Sequence, residues 1–574
     1  MSSIQCSVPY RTLSEALFAA EPDQTFVTMW RSEDDVDTVT FGRFTSLALA
    51  QAAYLKQQGL KQGDTVVLMM PQGIPLMTAF AGAMCVGAIP AILAYPNFKV
   101  DPTKYRAGLA GVTSNVGARL VVIDDDFPVN LLEHIALTGE SRIVRLKPQM
   151  PAAPAEFRPV DADPEQVAFI QHSAGTTGLQ KGVALSHTAV LTQLNHLIGT
   201  LQLGSDDRIY SWLPLYHDMG LIACFMLPMV CHLPIVMQSP VDWVMQPGTM
   251  LALITKYRCT MAWTPNFTLQ FLARRVRPAD REDFDLSSLR MLINCSEPVR
   301  AASMDEFRSA YVGFGLRPCV LQASYAMAET VFAVTQSGWD GECGPKRIWV
   351  HADRVRKQQR AMQVADNAEG SICFVSSGKC IPGSEVRIIG PNGRVLPEGG
   401  IGEIAIRSDS LYSGYYNRPD LTEKALKDGW YWSGDLGFVL QGEVYVIGRK
   451  KDLIIVAGEN IYPQDIEEIV SAHPAIHDGR AVAFGCYDPE LGTEGIVIVA
   501  EVNSETDLQA WQTIERELKN AIVGELGVVA RRIYLKPPKW VVKSTAGKAA
   551  RSTTRDKLIA EHQELQITIN GANL

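Results

Sequence analysis

Residues 167–187 read VAFIQHSAGTTGLQKGVALSH: two strand-length apolar runs enclose a short loop marked by glycines, hydroxyl side chains and one lysine. The flanks, 167–173 and 182–187, have strand composition, and the helix-length TAVLTQLNHLIGTL follows at once. Gly175 and Gly178 allow the positive φ angles that turn successive N–H groups inward into an anion-binding nest. Ser173, Thr176, Thr177 and Lys181 add donors and charge, so phosphate is the expected guest. The loop is not GxxxxGK[ST], because Gly178 is followed by Leu179, Gln180 and Lys181. Taken alone, the loop has a glycine hairpin without function as its other, lesser reading.

Outward from this loop the alternation continues. RIYSWLP (208–214), TMAWTP (260–265) before NFTLQFLARRV, LRMLINCS (289–296) before a helix near 301–311, and CVLQAS (319–324) before YAMAET repeat the strand-then-helix texture. Such alternation predicts an α/β protein with mostly parallel sheets and ligands at the carboxyl ends of strands. After about residue 370 the texture becomes glycine-punctuated strands, ICFVSS, EVRIIG, GEIAIRS, YWSGDLGFVL and EVYVIG, predicting a β-rich antiparallel subdomain over about 370–449. GRKKD (448–452) then separates it from renewed strand and helix signals, so the expected division is 1–449 and 450–574. At 574 residues the chain exceeds what one core sustains.

From Thr65 to Phe98 no residue is charged, a run longer than a membrane span. Pro71, Gly73, Pro75, Gly87, Pro90 and Pro96 cut it into TVVLMM, PLMTAFAGAMCV and IPAILA, which predicts buried strand, helix and strand rather than a span. Eleven cysteines without a CxxC pair or a histidine cluster predict buried thiols, with neither disulfides nor a cysteine-bound metal. The start, MSSIQCSVPYRTL, lacks a signal pattern, and the expected location is cytoplasmic. A net charge of −9 argues against nucleic acid as partner. Nine basic residues nevertheless face the single acid Asp556 between Arg531 and Lys557, either a solvated face or a docking surface for an acidic partner.

Six stretches in order carry a resemblance: HSAGTTGLQKG, LPLYHDMG (213–220), SYAMAE (324–329), YWSGDLG (431–437), GRKKD (448–452) and STAGKAAR (544–551). Together they resemble the adenylate-forming superfamily of acyl-CoA synthetases, luciferases and peptide-synthetase adenylation domains. The resemblance covers nearly the whole chain. YAMAE, INCSEPVR, YPQDIE and the stretch from Val334 to Ser376 are most similar to fatty acyl-AMP ligases, in which that last stretch is a distinguishing insertion; a surface loop is the other reading. The fold this implies is a large adenylation domain with a β-rich subdomain and a small mobile α+β domain.

The resemblance also implies roles. Attack of a carboxylate on the α-phosphorus of ATP brings anion to anion, so charge must be neutralised and an in-line geometry held. Lys548 would lie between acyl carboxylate and α-phosphate. Glu329, with the hydroxyl of Thr176, would hold Mg2+ on the triphosphate. Tyr325 would stack on adenine, Asp435 would accept both ribose hydroxyls with Arg449 as a second contact, and Ser296 and Glu297 would complete the nucleotide pocket. His217 would stand near the substrate carboxylate. Residues 221–230 and 263–267 could line an acyl tunnel, as they could any core. Lys451 and Asp452 occupy the hinge position about which the small domain swings between half-reactions.

The implied enzyme converts Mg-ATP and a carboxylic acid, in the first place a fatty acid, into acyl-AMP and delivers the acyl group to the phosphopantetheine thiol of an acyl carrier protein. Ala174 for serine, Gln180 for proline and Ala326 for glycine depart from the common pattern, and Glu459 stands where a fatty acyl-AMP ligase has arginine. That last departure keeps an acyl-CoA synthetase open as an alternative. A nucleotide-binding protein without catalysis is the third reading, and it would not require both Glu329 and Lys548.

Overall fold

The structure, a computed structural model, describes residues 8–96, 102–147, 151–172, 180–339, 341, 343–456, 459–488, 493–503, 507–543 and 549–562. The uncharged run resolves as the strand Thr65–Met69, the helix Ile74–Cys85 and the strand Ile89–Ile92. Every residue of that helix except Pro75 is buried, as expected of a helix apolar on all sides, in a cluster drawn from both large sheets. Gly82 lets it approach the helix Phe41–Gln57: a Cβ there would stand 2.7 Å from the Ala48 carbonyl oxygen. No helix among the described residues is long and apolar enough to cross a membrane.

Among the described residues one sheet has nine strands. Its six central members, in spatial order Leu321–Ala326, Met291–Asn294, Met261–Thr264, Ile209–Ser211, Ile235–Gln238 and Thr25–Ser32, are all parallel. Asp35–Thr40 closes one edge and Ala333–Gln336 with Lys379–Cys380 the other, all antiparallel. A second, seven-stranded sheet runs Gly414–Tyr415, Gly182–Ser186, Val167–His172, Ile89–Ile92, Thr65–Met69, Leu120–Ile123, Arg142–Arg145, parallel from Val167–His172 onward. The two runs of the opening stretch are thus antiparallel neighbours, with His172 opposite Gly182. The helix expected after them is His187–Leu201, N-capped by Ser186.

The β-rich region is antiparallel, Ser384–Ile389, Gly402–Ser408, Trp430–Leu440 and Glu443–Arg449. Ser371–Val375, expected to join it, instead pairs with Arg347–His351, which also pairs with Gln363–Val364. With the helix Ala352–Gln358 this small sheet occupies most of the stretch between Val334 and Ser376, so that stretch is a folded layer rather than a bare loop. Ile348, Val350 and Val355 pack in one apolar cluster with Leu436, Phe438, Tyr445 and Tyr462.

Beyond residue 450 the strands Ile476–Asp488, Thr493–Val502 and Ala530–Lys536 form a sheet covered by the helices Pro463–Ser471 and Trp511–Leu526, with its own apolar cluster between Ile454 and Leu535. Polar contacts tie it to the preceding residues: Arg300 to Glu468 at 2.9 Å, Arg274 to Asp478 at 2.9 Å, and Arg356 Nη1 to the Leu526 carbonyl at 2.5 Å.

One expectation is corrected. Cys319 and Cys343 form a disulfide, their Cα atoms 4.5 Å apart. Their 24-residue separation hid a pairing that only the return of the chain after the strand Ala333–Gln336 brings about. Cys85, Cys224 and Cys259 are the buried thiols foreseen, and burial pushes each up to about 12.

Candidate active site

The carboxyl ends of the two parallel sheets meet. Gln72, just past the strand Thr65–Met69, donates to the carbonyls of Leu213 and Gln238 and accepts the Leu215 N–H, all beyond or at strand ends of the nine-stranded sheet. Gln171, at the end of Val167–His172, donates to the Tyr216 carbonyl at 2.7 Å. These two amides stitch the crevice in which ligands of α/β proteins sit.

On one side of it the Tyr325 hydroxyl donates to Asp435 Oδ2 at 2.6 Å, and Arg449 Nε meets Asp435 Oδ1 at 2.9 Å. Asp435 reaches Tyr325 because its strand bulges: Leu436 lies opposite Glu403 and Trp432 opposite Ala405, leaving Ser433–Asp435 across a single residue. The bulge is held by Gly434 N–H donating to Glu403, whose other oxygen takes Lys450 Nζ at 2.7 Å. Burial pushes the Asp435 carboxyl up, and the Arg449 cation and the Tyr325 hydroxyl pull the other way. Asp435 in turn raises Arg449. With its hydroxyl committed to Asp435, Tyr325 has its ring to offer a base.

Beside this triad, Glu329 Oε1 accepts the Tyr415 hydroxyl at 2.7 Å, and Tyr415 and Tyr431 hydroxyls meet at 3.3 Å. Lys181 Nζ lies 4.5 Å from the centre of the same Tyr415 ring, so one tyrosine touches both the buried carboxylate and the lysine of the glycine-rich loop. Gly414–Tyr415 is the edge strand beside Gly182–Ser186, which brings these residues together. Burial and the Glu329 charge both raise the Tyr415 hydroxyl, keeping it a proton donor.

His217 Nδ1 stands 2.6 Å from Asp218 Oδ1, and Asp218 also accepts the Met219 N–H at the start of a π-helical stretch, Met219–Met226. Gly220 is required here: a Cβ would stand 2.3 Å from the Pro214 carbonyl oxygen. Ser296 Oγ is 3.9 Å from Met219 Sδ, while Glu297 accepts the Phe267 N–H at 3.1 Å and so caps the helix Asn266–Arg275. Ser296 has φ 72° and Val331, two residues past Glu329, φ 64°. A β-branched residue in that region is strained, by about 1–3 kcal/mol, and such strain gathers at functional sites.

Of the expected hinge, Asp452 pairs with Arg551, which also grips Glu467 at 2.8 Å. Lys451 is held down chiefly by burial, with the Arg449, Lys181 and Arg551 cations adding to it. Lys543 forms an antiparallel bridge with Ala549. Lys548 itself, like Ser173, Gly175, Thr176, Thr177 and Gly178, lies outside the described residues.

Tyr415, Tyr431, Glu403, Gln72 and Gln171 were not foreseen. The cluster YSGYY (412–416) offered a signal, three tyrosines around a glycine directly before a proline-started helix. No group of three or more metal-ligating side chains exists among the described residues.

The chain matches the AMP-binding enzyme family over residues 15–416. It is 30% identical over 551 residues to a 4-hydroxyphenylalkanoate adenylyltransferase of Mycobacterium marinum, covering 91% of this chain and 86% of that one. It is 27% identical over 548 residues to the medium-chain-fatty-acid–[acyl-carrier-protein] ligase JamA of Moorena producens, covering 92% and 91%. A solved structure of the fatty acyl-adenylate ligases from E. coli and L. pneumophila superposes with a TM-score of 0.88 at 27% identity, covering 97% of this chain and 99% of that one.

Proposed function

The chain belongs to the AMP-binding enzyme family, and from that premise we propose that it is a fatty acyl-AMP ligase that hands its product to a carrier protein. It is an ATP-dependent, acyl-adenylate-forming ligase, with the adenylate-forming fold. In the first half-reaction an oxygen of the acid attacks the α-phosphorus, the bond to the β-phosphate breaks and pyrophosphate leaves. In the second, a phosphopantetheine sulfur attacks the acyl carbonyl, the bond to AMP breaks and AMP leaves.

The observation that carries this reading is the Tyr325–Asp435–Arg449 chain standing beside Glu329–Tyr415–Lys181 in one crevice. Asp435 and Arg449 suit a ribose, as acceptor and donor, and the Tyr325 ring suits adenine. Lys181, the loop residues Ser173, Gly175, Thr176, Thr177 and Gly178, and the strained turn at Ser296 suit phosphate oxygens. Glu329, with Thr176, would hold Mg2+, which when bound screens the triphosphate charge. His217, oriented by Asp218, would meet the acid carboxylate, and Lys548 the charge that develops between acid and phosphate. Residues 450–574 would act as a mobile domain turning at Lys451 and Asp452, released when Arg300, Arg274 and Arg356 leave Glu468, Asp478 and the Leu526 carbonyl.

Glu459, which stands 3.6 Å from Lys357 on the helix Ala352–Gln358, joins the layer that follows Val334 to the segment after the hinge. The test is to supply ATP, a panel of acids, and then CoA or phosphopantetheinylated carrier in parallel. Acid-dependent pyrophosphate release followed by acylation of the carrier is expected; acylation of CoA alone would make the enzyme an acyl-CoA synthetase, and no release with any acid would leave a nucleotide-binding protein.

A further inference from the structure

Four neighbouring parallel strands, Met291–Asn294, Met261–Thr264, Ile209–Ser211 and Ile235–Gln238, lead at their carboxyl ends to Ser296, Phe267, Trp212 and Trp243. Trp212 and Trp243 stack at 3.8 Å between ring centres and 9° between planes, and Phe267 stands edge-on to both, at 6.3 and 6.2 Å. Strands repeat every ~4.8 Å, so Trp212 lies three spacings, roughly 14 Å, from the strand that carries Tyr325, with that of Ser296 between. Trp212 also precedes His217 by five residues. The aromatic box therefore sits along the crevice on the acid side, away from the base.

Its polar atoms are unmatched. Among the described residues Trp212 Nε1, Trp243 Nε1, Thr264 Oγ1 and Asn294 Oδ1 have no hydrogen-bond partner, in residues 6%, 0%, 0% and 1% exposed. Thr264 and Asn294 are register partners on adjacent strands. The Asn294 amide is oriented, because its nitrogen donates to Asn266 Oδ1 at 2.9 Å, and Asn266 is itself held by Ser303 and the Arg300 N–H. An unmet buried polar atom costs about 1–3 kcal/mol, and two such pairs, the stacked indoles and the register partners Thr264 and Asn294, at the carboxyl ends of neighbouring strands call for a polar guest.

We propose that the acid activated here carries a hydroxyl group on its tail, received by Trp212, Trp243, Thr264 and Asn294. The assignment rests on the adenylation reading above. A hydroxyl, with one proton to donate and two lone pairs, answers three of the four at once: it accepts from an indole N–H, donates to the Asn294 oxygen, and accepts from Thr264. A plain hydrocarbon tail would leave all four unmet. The flat walls take either an aryl ring or an alkyl chain as the hydroxyl's carrier.

The test measures kcat/KM for pyrophosphate release with two matched pairs, an alkanoic acid against its ω-hydroxy derivative and a phenylalkanoic acid against its 4-hydroxyphenyl derivative. At least one hydroxylated acid should exceed its plain partner tenfold or more, and the pair with the larger ratio identifies the skeleton. Trp243→Phe keeps a ring and removes the donor, and Thr264→Val keeps the shape; either should bring that ratio toward one. Equal kcat/KM within both pairs, or a ratio that neither substitution moves while overall turnover falls, overturns the proposal and leaves adenylation standing. No release with any of the four acids, nor with the wider panel, instead removes the adenylation reading beneath it.

Discussion

The Tyr325 hydroxyl and Asp435, 110 residues apart in sequence, share a 2.6 Å hydrogen bond in a buried setting, and Arg449 closes the other side of the carboxylate. The arrangement spans the nine-stranded sheet and the β-rich region, so this crevice exists only when both are folded against each other.

Asp435→Asn keeps the shape and the tyrosine contact but removes the charge that Arg449 meets. Hydrogen bonds to charged groups are worth about 1.5–3 kcal/mol, so AMP affinity measured by calorimetric titration should fall by about tenfold to a hundredfold. Unchanged affinity would remove Asp435 from the nucleotide site.

Tyr415→Phe leaves the ring under Lys181 and deletes the hydroxyl that orients Glu329. The rate of adenylation should need a higher free Mg2+ concentration to reach half its maximum, roughly tenfold higher for the loss of about one hydrogen bond. A rate that falls equally at all Mg2+ concentrations would mean that Tyr415 serves packing alone.

Lys548→Ala should abolish acyl-AMP formation while sparing transfer from supplied acyl-AMP to the carrier, the outcome expected of the proposed small domain that turns a different face inward for the second step. The two half-reactions are assayed separately. Equal loss of both would contradict the division of labour.

Stability should fall in mild acid through two buried histidines. Burial lowers His172 and His187 from an ordinary 6.5 to about 4, and His187 Nδ1 accepts the Leu13 N–H, a bond only the unprotonated nitrogen can make. Above 6.5 both states are neutral and neither histidine matters; below it the unfolded chain takes up protons that the folded chain refuses, until about pH 4. Between pH 7 and pH 5 each should cost about 2 kcal/mol, read from denaturant melts. His187→Gln should flatten the drop, and a pH dependence identical to that of the unsubstituted chain would exclude the histidine.

Much of this was legible in one dimension. The uncharged run 65–98 was divisible by its prolines and glycines because those residues forbid or free particular φ values wherever they stand, and the helix near 301–311 resolved as Ala301–Tyr311. Glu329, Asp435, Arg449 and Lys181 were nameable from local motifs, and the structure gathers them in one crevice. The strand Ser371–Val375 was assigned to the wrong sheet, since a strand's composition does not name its partner.

Local chemistry, then, was determined by the sequence alone: where backbone turns, which runs bury, which side chains can bear charge. Which of them meet was decided by tertiary structure. Cys319 finds Cys343, Tyr415 comes under Lys181 and against Glu329, and Trp212 lies flat on Trp243, because sheet order and strand register, not sequence distance, determine which carboxyl ends stand side by side.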